Sequence, residues 1–247
     1  MNKTSVAFGF LISFFFFTTN VMAQEKTLHI GDQRQLFVDD YLIDHLKDTR
    51  LLMGNPHDEG PVLAFDKPWE GPFCNYVTII KDSLGKYRVY YRGSEAAKDG
   101  SNSEVTCMAV STDGIHWTKP DLELFQFHGS LKNNIILANQ APSSHNFSPF
   151  IDKNPQATKE TKYKAVALGR GSLHPYTLLP FSSPDGIHWK KMQEQPVLTD
   201  GVFDSQNVAF WSESENCYVC YFRTWTKGDF KGIRTVSRAT STDFIHW

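Results

Sequence analysis

The stretch STDGIHW, residues 111–117, returns in nearly the same form as SPDGIHW at 183–189 and as STDFIHW at 241–247. Ser, Asp, Ile, His and Trp keep their places in all three copies, so the chain contains an internal repeat. In such a phrase the Ser and Asp side chains accept backbone N–H groups of a tight turn, and Gly permits a positive φ. We therefore expect three hairpin turns, each with a Trp that opens the next strand and packs between neighbouring units.

Short segments rich in Val, Tyr, Phe, Trp and Thr fill the sequence between the turns, as is typical of strands. The first unit reads NYVTII at 75–80, KYRVYYRG at 86–93 and EVTCMAV at 104–110, and a fourth strand follows the turn. A unit of four antiparallel strands cannot bury both faces alone, so it must stack on its neighbours. The sequence predicts an all-β fold, a β-propeller of four-stranded antiparallel blades, with about three blades present.

Polar residues recur in register with the turns. An asparagine opens the first strand of each unit and an arginine closes the second, at Asn75, Asn146, Asn207, Arg92, Arg170 and Arg223. We expect these side chains at one face of the propeller, opposite the turns, together with the loops that carry Glu70, Glu95, His145, Asp152, Asp204 and Trp225. Amides, guanidinium groups and a ring around a concave site suit a sugar. The alternative is that the asparagines cap loops and the arginines pair with neighbouring carboxylates.

Glycoside hydrolysis needs two carboxyl groups, one to protonate the leaving oxygen and one to act as base or nucleophile. The candidates are Asp204 in GVFDSQN, Glu70 in PWEGPFCN and Asp152 in PFIDKNP, although each could instead be structural. Asp204 and Glu70 lie just ahead of predicted inner strands, where loops open onto the central funnel. Asp39 and Asp40 in LFVDDYLI belong to a predicted edge strand.

The amino terminus has the pattern of a signal peptide. Lys3 precedes an apolar run over 6–17, and VMA ends before Gln24, so we interpret residues 1–23 as a removed leader. A single membrane anchor is the alternative. The mature protein is then expected to be secreted or periplasmic, with no membrane association and with an unknown oligomeric state.

Charge and cysteine content exclude several partners. The chain has 25 basic and 27 acidic residues and no basic block, which argues against nucleic acid as a partner. The four cysteines lack paired zinc spacing, and we expect buried thiols or one disulfide at most. Three equivalent histidines fall in different units, too far apart for one metal, and are expected to be packing or surface residues: His116, His188 and His246. No metal and no cofactor are expected.

The phrases FVDDYLI, PWEG, NNI and FDSQN, together with the STDGIHW series, resemble secreted five-bladed propeller proteins related to glycoside hydrolase families 32, 43 and 68. The resemblance spans about residues 30–247. It implies an exported glycosidase acting on a poly- or oligosaccharide, and it implies that 24–247 is the amino-terminal part of a longer five-bladed propeller. Those families carry an Asp near the position of Asn75, and an amide cannot act as base or nucleophile.

Two alternative functions therefore stay open. A carbohydrate-binding propeller without turnover is the first, and Asn75 in place of a carboxylate is its main support. A sialidase-like enzyme is the second, in which Arg92, Arg170 and Arg223 would hold a substrate carboxylate, although the Arg-Ile-Pro motif of sialidases is absent from the sequence.

Overall fold

The computed structural model describes residues 28–31, 35–96, 101–228 and 230–247. The chain divides into two units, Met1–Asn55 and Pro56–Trp247. The predicted leader at 1–23 lies outside the described residues. In the described part of the first unit, residues 38–42 form bends and a turn. The edge strand predicted for LFVDDYLI is therefore wrong: Asp39 accepts the backbone N–H of Tyr41 at 3.0 Å and stabilises a turn there.

The second unit consists of antiparallel sheets, so the all-β prediction is confirmed. The described residues contain twelve strands, and the only helical segments among them are two short 3₁₀ turns, Ser143–His145 and Lys159–Thr161. The first sheet contains β1 (Asn75–Lys81), β2 (Tyr87–Ser94), β3 (Glu104–Ser111), β4 (Trp117–Thr118) and β5 (Ile135–Leu137). Its strands follow the order β1-β2-β3-β4, and β5 also pairs with β3.

The second and third sheets repeat this meander. The second sheet, in chain order, contains β6 (Ser148–Ile151), β7 (Tyr163–Gly169), β8 (Thr177–Ser183) and β9 (Lys190–Lys191). The third contains β10 (Val208–Ser212), β11 (Cys217–Trp225) and β12 (Arg234–Ser241). The three strand segments predicted for the first unit thus coincide with β1, β2 and β3.

The sheets pack on one another through their faces. Tyr90 and Met108 of the first sheet share a buried cluster with Ala165 and Phe181 of the second. The second sheet packs in the same way against the third, through a cluster that includes Leu168 and Trp211. Burial of one such large side chain contributes about 1.5–3 kcal/mol, so these interfaces supply much of the stability. The opposite face of the third sheet is open, and Val208, Phe210, Tyr221 and Val236 are 37–75% exposed on it.

The repeated phrase forms the predicted hairpin turns. In the first copy, Ser111 Oγ accepts the N–H of Gly114 at 2.8 Å, and Asp113 Oδ1 accepts the N–H groups of Ile115 and His116 at 2.8 Å. The same bonds occur in the other two copies. Phe244 replaces Gly in the third copy at a φ of 71°, and its side chain is fully buried in the core.

Each turn also holds a His–Asp pair. His116 Nδ1 lies 2.7 Å from Asp113 Oδ2, and the corresponding distances for His188 and His246 are 2.7 and 2.6 Å. All three histidines are exposed, as predicted. The side-chain hydrogen bond to Asp113 raises the pKa of His116 above 6.5, and the same bond holds the pKa of Asp113 below 3.8.

The pair should make stability depend on pH. The lowered pKa of Asp113 contributes stability above pH 3.8 that is lost as the pH falls through the folded value. The raised pKa of His116 contributes stability below pH 6.5 that is lost as the pH rises through its folded value. The pair therefore stabilises the protein most between these two values.

We expect His116→Gln to lower the Tm by at most about 2–4 °C at pH 5, because an exposed ion pair contributes little. At pH 9 the loss should be smaller, since His116 is then neutral. Thermal unfolding of both proteins at the two pH values measures this, with His174→Gln as the control for an exposed histidine outside the turns. An equal loss at both pH values would contradict the expectation.

Candidate functional site

The first strands of the three sheets surround one groove. β1, β6 and β10 line a cavity of about 420 Å³, and its walls include Val77, Phe150 and Val208. Gln206, just before β10, donates from Nε2 to Thr78 Oγ1 at 2.9 Å and so joins the third sheet to the first. Residues that precede or open these strands therefore meet at one end of the groove.

Asp204 is the carboxylate at this end of the groove. Its side chain is 29% exposed and forms an ion pair with Arg223 of β11. Its backbone carbonyl accepts a hydrogen bond from Tyr76 Oη at 3.1 Å, and His145 Nε2 lies 3.3 Å from the same oxygen. Side chains of all three repeating units thus converge on Asp204, and the structure brings His145 and Arg223 together there.

His145 contacts two buried charged side chains, Glu104 and Arg92. His145 Nδ1 lies 3.0 Å from Glu104 Oε1, and Arg92 Nη1 lies 3.6 Å from the same carboxylate oxygen. Glu104 is fully buried, while Arg92 and His145 are 2% and 4% exposed. Arg92 Nη1 also lies 2.9 Å from His145 Nδ1, so the carboxylate and the guanidinium together orient the imidazole. Sequence reasoning missed Glu104, since it is simply the first residue of a strand.

Tyr76 was also missed, and its backbone shows why it matters. Its φ is 53°, and the pairing of β1 with β2 is irregular between Asn75 and Thr78. A non-glycine residue in the left-handed region is strained, and such strain concentrates at functional sites. The ring of Tyr76 lies 5.2 Å from that of His145 and 4.8 Å from the guanidinium of Arg92. The only advance signal is the Asn before it, whose Oδ1 accepts the N–H of Tyr76 at 2.9 Å.

The two buried asparagines fix the loop that carries Asp204. Asn146 Nδ2 donates to the carbonyls of Phe203 and Ser205, both at 2.6 Å. Asn207 Nδ2 donates to the same two carbonyls, at 3.0 and 2.9 Å. Both asparagines are fully buried. This geometry favours the loop-capping alternative for them, while Asn75 is exposed at the start of β1.

Arg170 differs from the other two arginines in register. Tyr87, Tyr163 and Tyr218 are each paired with the Ser that opens a turn. The residue five positions after this tyrosine is Arg92 in the first sheet and Arg223 in the third, but it is Leu168 in the second. Arg170 lies two residues further, beyond the end of β7, and is exposed. Its predicted equivalence with Arg92 and Arg223 is therefore wrong, because the spacing from the strand tyrosine to the arginine is longer by two in that unit.

Asp152 lies at the turn end of the second sheet, whereas Asp204 lies at the opposite end of the third sheet. Asp152 follows Ile151, which pairs with Tyr163, and Tyr163 pairs with Ser183 at the turn. Its predicted place at the funnel face is therefore wrong, because it ends the first strand instead of opening it. Asp152 Oδ2 accepts hydrogen bonds from Lys164 Nζ at 2.6 Å and Tyr218 Oη at 2.8 Å, and it joins the second and third sheets there.

Glu70 is fully buried in a network of the first sheet. Its carboxylate accepts hydrogen bonds from Tyr91 Oη at 2.5 Å, Lys119 Nζ at 2.7 Å and the Lys67 N–H at 2.8 Å. Burial raises the pKa of Tyr91, which therefore stays a donor. A catalytic role for Glu70 stays a prediction, but its hydrogen-bonding capacity is used within the protein. Glu95 is exposed instead and lies 3.1 Å from His128.

The described residues show few features of other classes of site. Among them there is no group of three or more His, Cys, Asp or Glu side chains placed to hold a metal ion. Across the same ranges, no helix is long and apolar enough to cross a membrane. All four cysteines are free thiols. Cys74 and Cys107 do not lie on adjacent strands, because β2 separates β1 from β3.

We expect Glu70→Gln to lower the free energy of unfolding by about 2–3 kcal/mol, because half-buried Lys119 loses one of its two carboxylate partners. Denaturant unfolding measures this, and Glu194→Gln, in an exposed pair with Lys191, is the matched control and should cost less than about 1 kcal/mol. A Glu70→Gln protein with unchanged stability and abolished turnover would instead assign a catalytic role to Glu70.

Removal of the amide hydrogen bonds that hold the Asp204 loop should affect both the stability of the protein and the site. Asn146→Ala deletes two donated hydrogen bonds and the acceptor for the N–H of Leu168, so we expect a loss of about 2–4 kcal/mol. Asn102→Ala, at an exposed asparagine, should change stability by less than about 0.5 kcal/mol. Equal stability of the two variants in denaturant unfolding would show that the Asn146 hydrogen bonds do not stabilise the loop.

No family model matches the sequence, and no curated protein matches it. Solved structures that match include an N-acetylgalactosamine deacetylase from F. plautii in complex with blood group B trisaccharide, at 14% identity and a TM-score of 0.49 over 70% of this chain and 51% of that chain. A β-fructofuranosidase from Schwanniomyces occidentalis has 13% identity and a TM-score of 0.45 over 71% and 34% of the two chains. A family 117 glycoside hydrolase from Zobellia galactanivorans has 14% identity and a TM-score of 0.44 over 68% and 43%. The chain thus spans about half or less of the length of these three proteins, and its structural neighbours include glycoside hydrolases, the class that the sequence resembles.

Proposed function

We propose that the three sheets are blades of a five-bladed β-propeller and that the chain is an exported glycoside hydrolase acting on a poly- or oligosaccharide. The stacking of three successive meanders around one groove supports the propeller. The open apolar face of the third sheet supports a further blade, since a sheet normally covers such a face. The apolar run at residues 6–17 supports export.

The observation that carries the enzymatic proposal is the position of Asp204. It is a partly exposed carboxylate at the end of a central groove, on a loop held by four amide hydrogen bonds. Rigid placement of a proton-transfer group is what general acid–base catalysis requires. His145 is the second titratable side chain at this point, and Glu104 acts through it as a positioning residue.

A second function, carbohydrate binding without turnover, is favoured by a different observation. Of the three carboxylates predicted to be catalytic, only Asp204 lies at the groove, while Glu70 and Asp152 are buried in other networks. Asn75, at the start of β1, supplies an amide where the related families carry an Asp. In this function Asp204 and Arg223 would contact sugar hydroxyls.

Asp204→Asn separates these functions. In an enzyme we expect turnover to fall by a factor on the order of 100 or more, because the substituted amide transfers no proton. The Tm should change little, since the Asp204–Arg223 pair is partly exposed. The measurement is sugar release from a polysaccharide panel, with Asp200→Asn, at an exposed carboxylate in the same loop, as control.

The outcomes differ for each function. Absence of sugar release by the wild-type protein, with binding that Asp204→Asn weakens, would support the binding function and overturn the enzymatic one. Full activity of a folded Asp204→Asn protein would remove Asp204 from the site.

A further inference from the structure

Arginine and aromatic side chains form a second cluster beside Asp204, at the hairpin between β11 and β12. Trp225 and Arg234 are paired in register across the two strands. The guanidinium of Arg234 lies 5.1 Å from the centre of the Trp225 ring, and that of Arg223 lies 5.5 Å from the Phe230 ring. The Phe230 ring in turn lies 6.1 Å from Trp225 and 5.7 Å from Tyr176. We call these five residues the hairpin cluster.

Several buried polar atoms of this region have no hydrogen-bond partner. They are Arg223 Nε, Trp225 Nε1 and Asn207 Oδ1. Two of the three are donors, and all belong to the end of the third sheet that carries Asp204. A buried polar group without a partner costs about 1–3 kcal/mol, so native proteins rarely keep one unless a ligand or water satisfies it. The two donors are therefore available to an acceptor from water or from a ligand.

The charge of the hairpin favours an anion. Residues 223–234 contain four basic residues and one acidic residue. Arg223 is paired with Asp204, whereas no described residue forms an ion pair with Arg234. Burial lowers the pKa of Arg223, and the positive charge of Arg234 lowers it further. Two guanidinium groups thus repel each other here, and an anionic ligand between them would relieve the repulsion.

We infer that the hairpin cluster binds an acidic sugar residue, a uronate, within the carbohydrate chain taken by the proposed site. A carboxylate matches the planar fork of a guanidinium with two parallel hydrogen bonds, and the apolar face of a sugar ring stacks on an indole. The inference rests on the proposed function, because it names the kind of sugar that the same site accepts.

The experiment compares uronate-containing polysaccharides with their carboxyl-reduced counterparts, which differ only in the acidic group. We expect the full chain to bind or cleave the acidic form at least about tenfold better in low salt, with the preference reduced by added salt. Arg234→Gln should remove most of this preference, whereas Lys231→Gln should keep it. Lys231→Gln, an exposed cation of the same hairpin, is the matched control, and the Tm of each variant reports folding.

Failure of this inference and failure of the proposed function are distinguishable. Equal recognition of the acidic and reduced forms, unaffected by Arg234→Gln, would overturn the uronate inference and leave the carbohydrate function in place. Preference for sulfated polysaccharides over uronates would overturn it as well. Absence of binding to every polysaccharide in either form would overturn both.

Discussion

The structure depends on the packing of each sheet's face against the next sheet, and this contact includes hydrogen bonds to the turn of the neighbour. Tyr90 Oη donates to the carbonyl of Gly186 at 3.0 Å, and Arg88 donates to that of Asp185. Lys164, which follows Tyr163 as Arg88 follows Tyr87, lies 5.3 Å from the ring of Phe244 in the turn of the third sheet. At both interfaces, a residue on the second strand of one sheet thus contacts the turn of the next sheet. Because the sheets stack in sequence, their first strands meet around one groove, and Tyr76 reaches Asp204 across 128 residues of chain.

Buried and partly exposed carboxylates have different roles in this arrangement. Glu70 and Asp152 each accept hydrogen bonds from a lysine and a tyrosine, and they stabilise the inside of the first sheet and the interface between the second and third. Asp204 differs because its loop keeps it partly exposed while the asparagines hold its neighbours. Burial of the first two explains why a carboxylate ahead of a strand, or after one, is a weak indicator of catalysis: the same residue type is needed wherever a buried cation must be matched.

The repeated motif made the strands, the turns and the turn hydrogen bonds predictable, because the Ser and Asp side chains interact with backbone groups two or three residues away. The positions of side chains relative to the other sheets were harder to predict. Arg170 was placed with Arg92 and Arg223 as the residue that closes the second strand. It lies two residues further from the strand tyrosine than they do, and strand register tolerates no such slip. Asp152 was placed among the loops of the funnel face, although it follows the last residue of the four-residue strand β6 and so lies at the other end of the sheet. Glu104 carries no sequence signature and Tyr76 only the Asn before it, since their roles arise from contacts with His145 and Asp204 that exist only after the sheets have stacked.

The asparagine repeat shows how one residue type serves fold and site together. In the second sheet, Asn146 Oδ1 accepts the N–H of Leu168 at 2.9 Å and so holds the end of β7, while its amide donates across the interface to the Asp204 loop. An Asp at this position could accept the first bond but could not donate the others, and it would bury a negative charge next to two carbonyls. The amide is therefore required by the local bonding pattern. The alignment of Asp204 with the groove follows from the same contact that joins the second and third sheets, so a change that loosens this interface should disturb the site even if it lies far from any ligand.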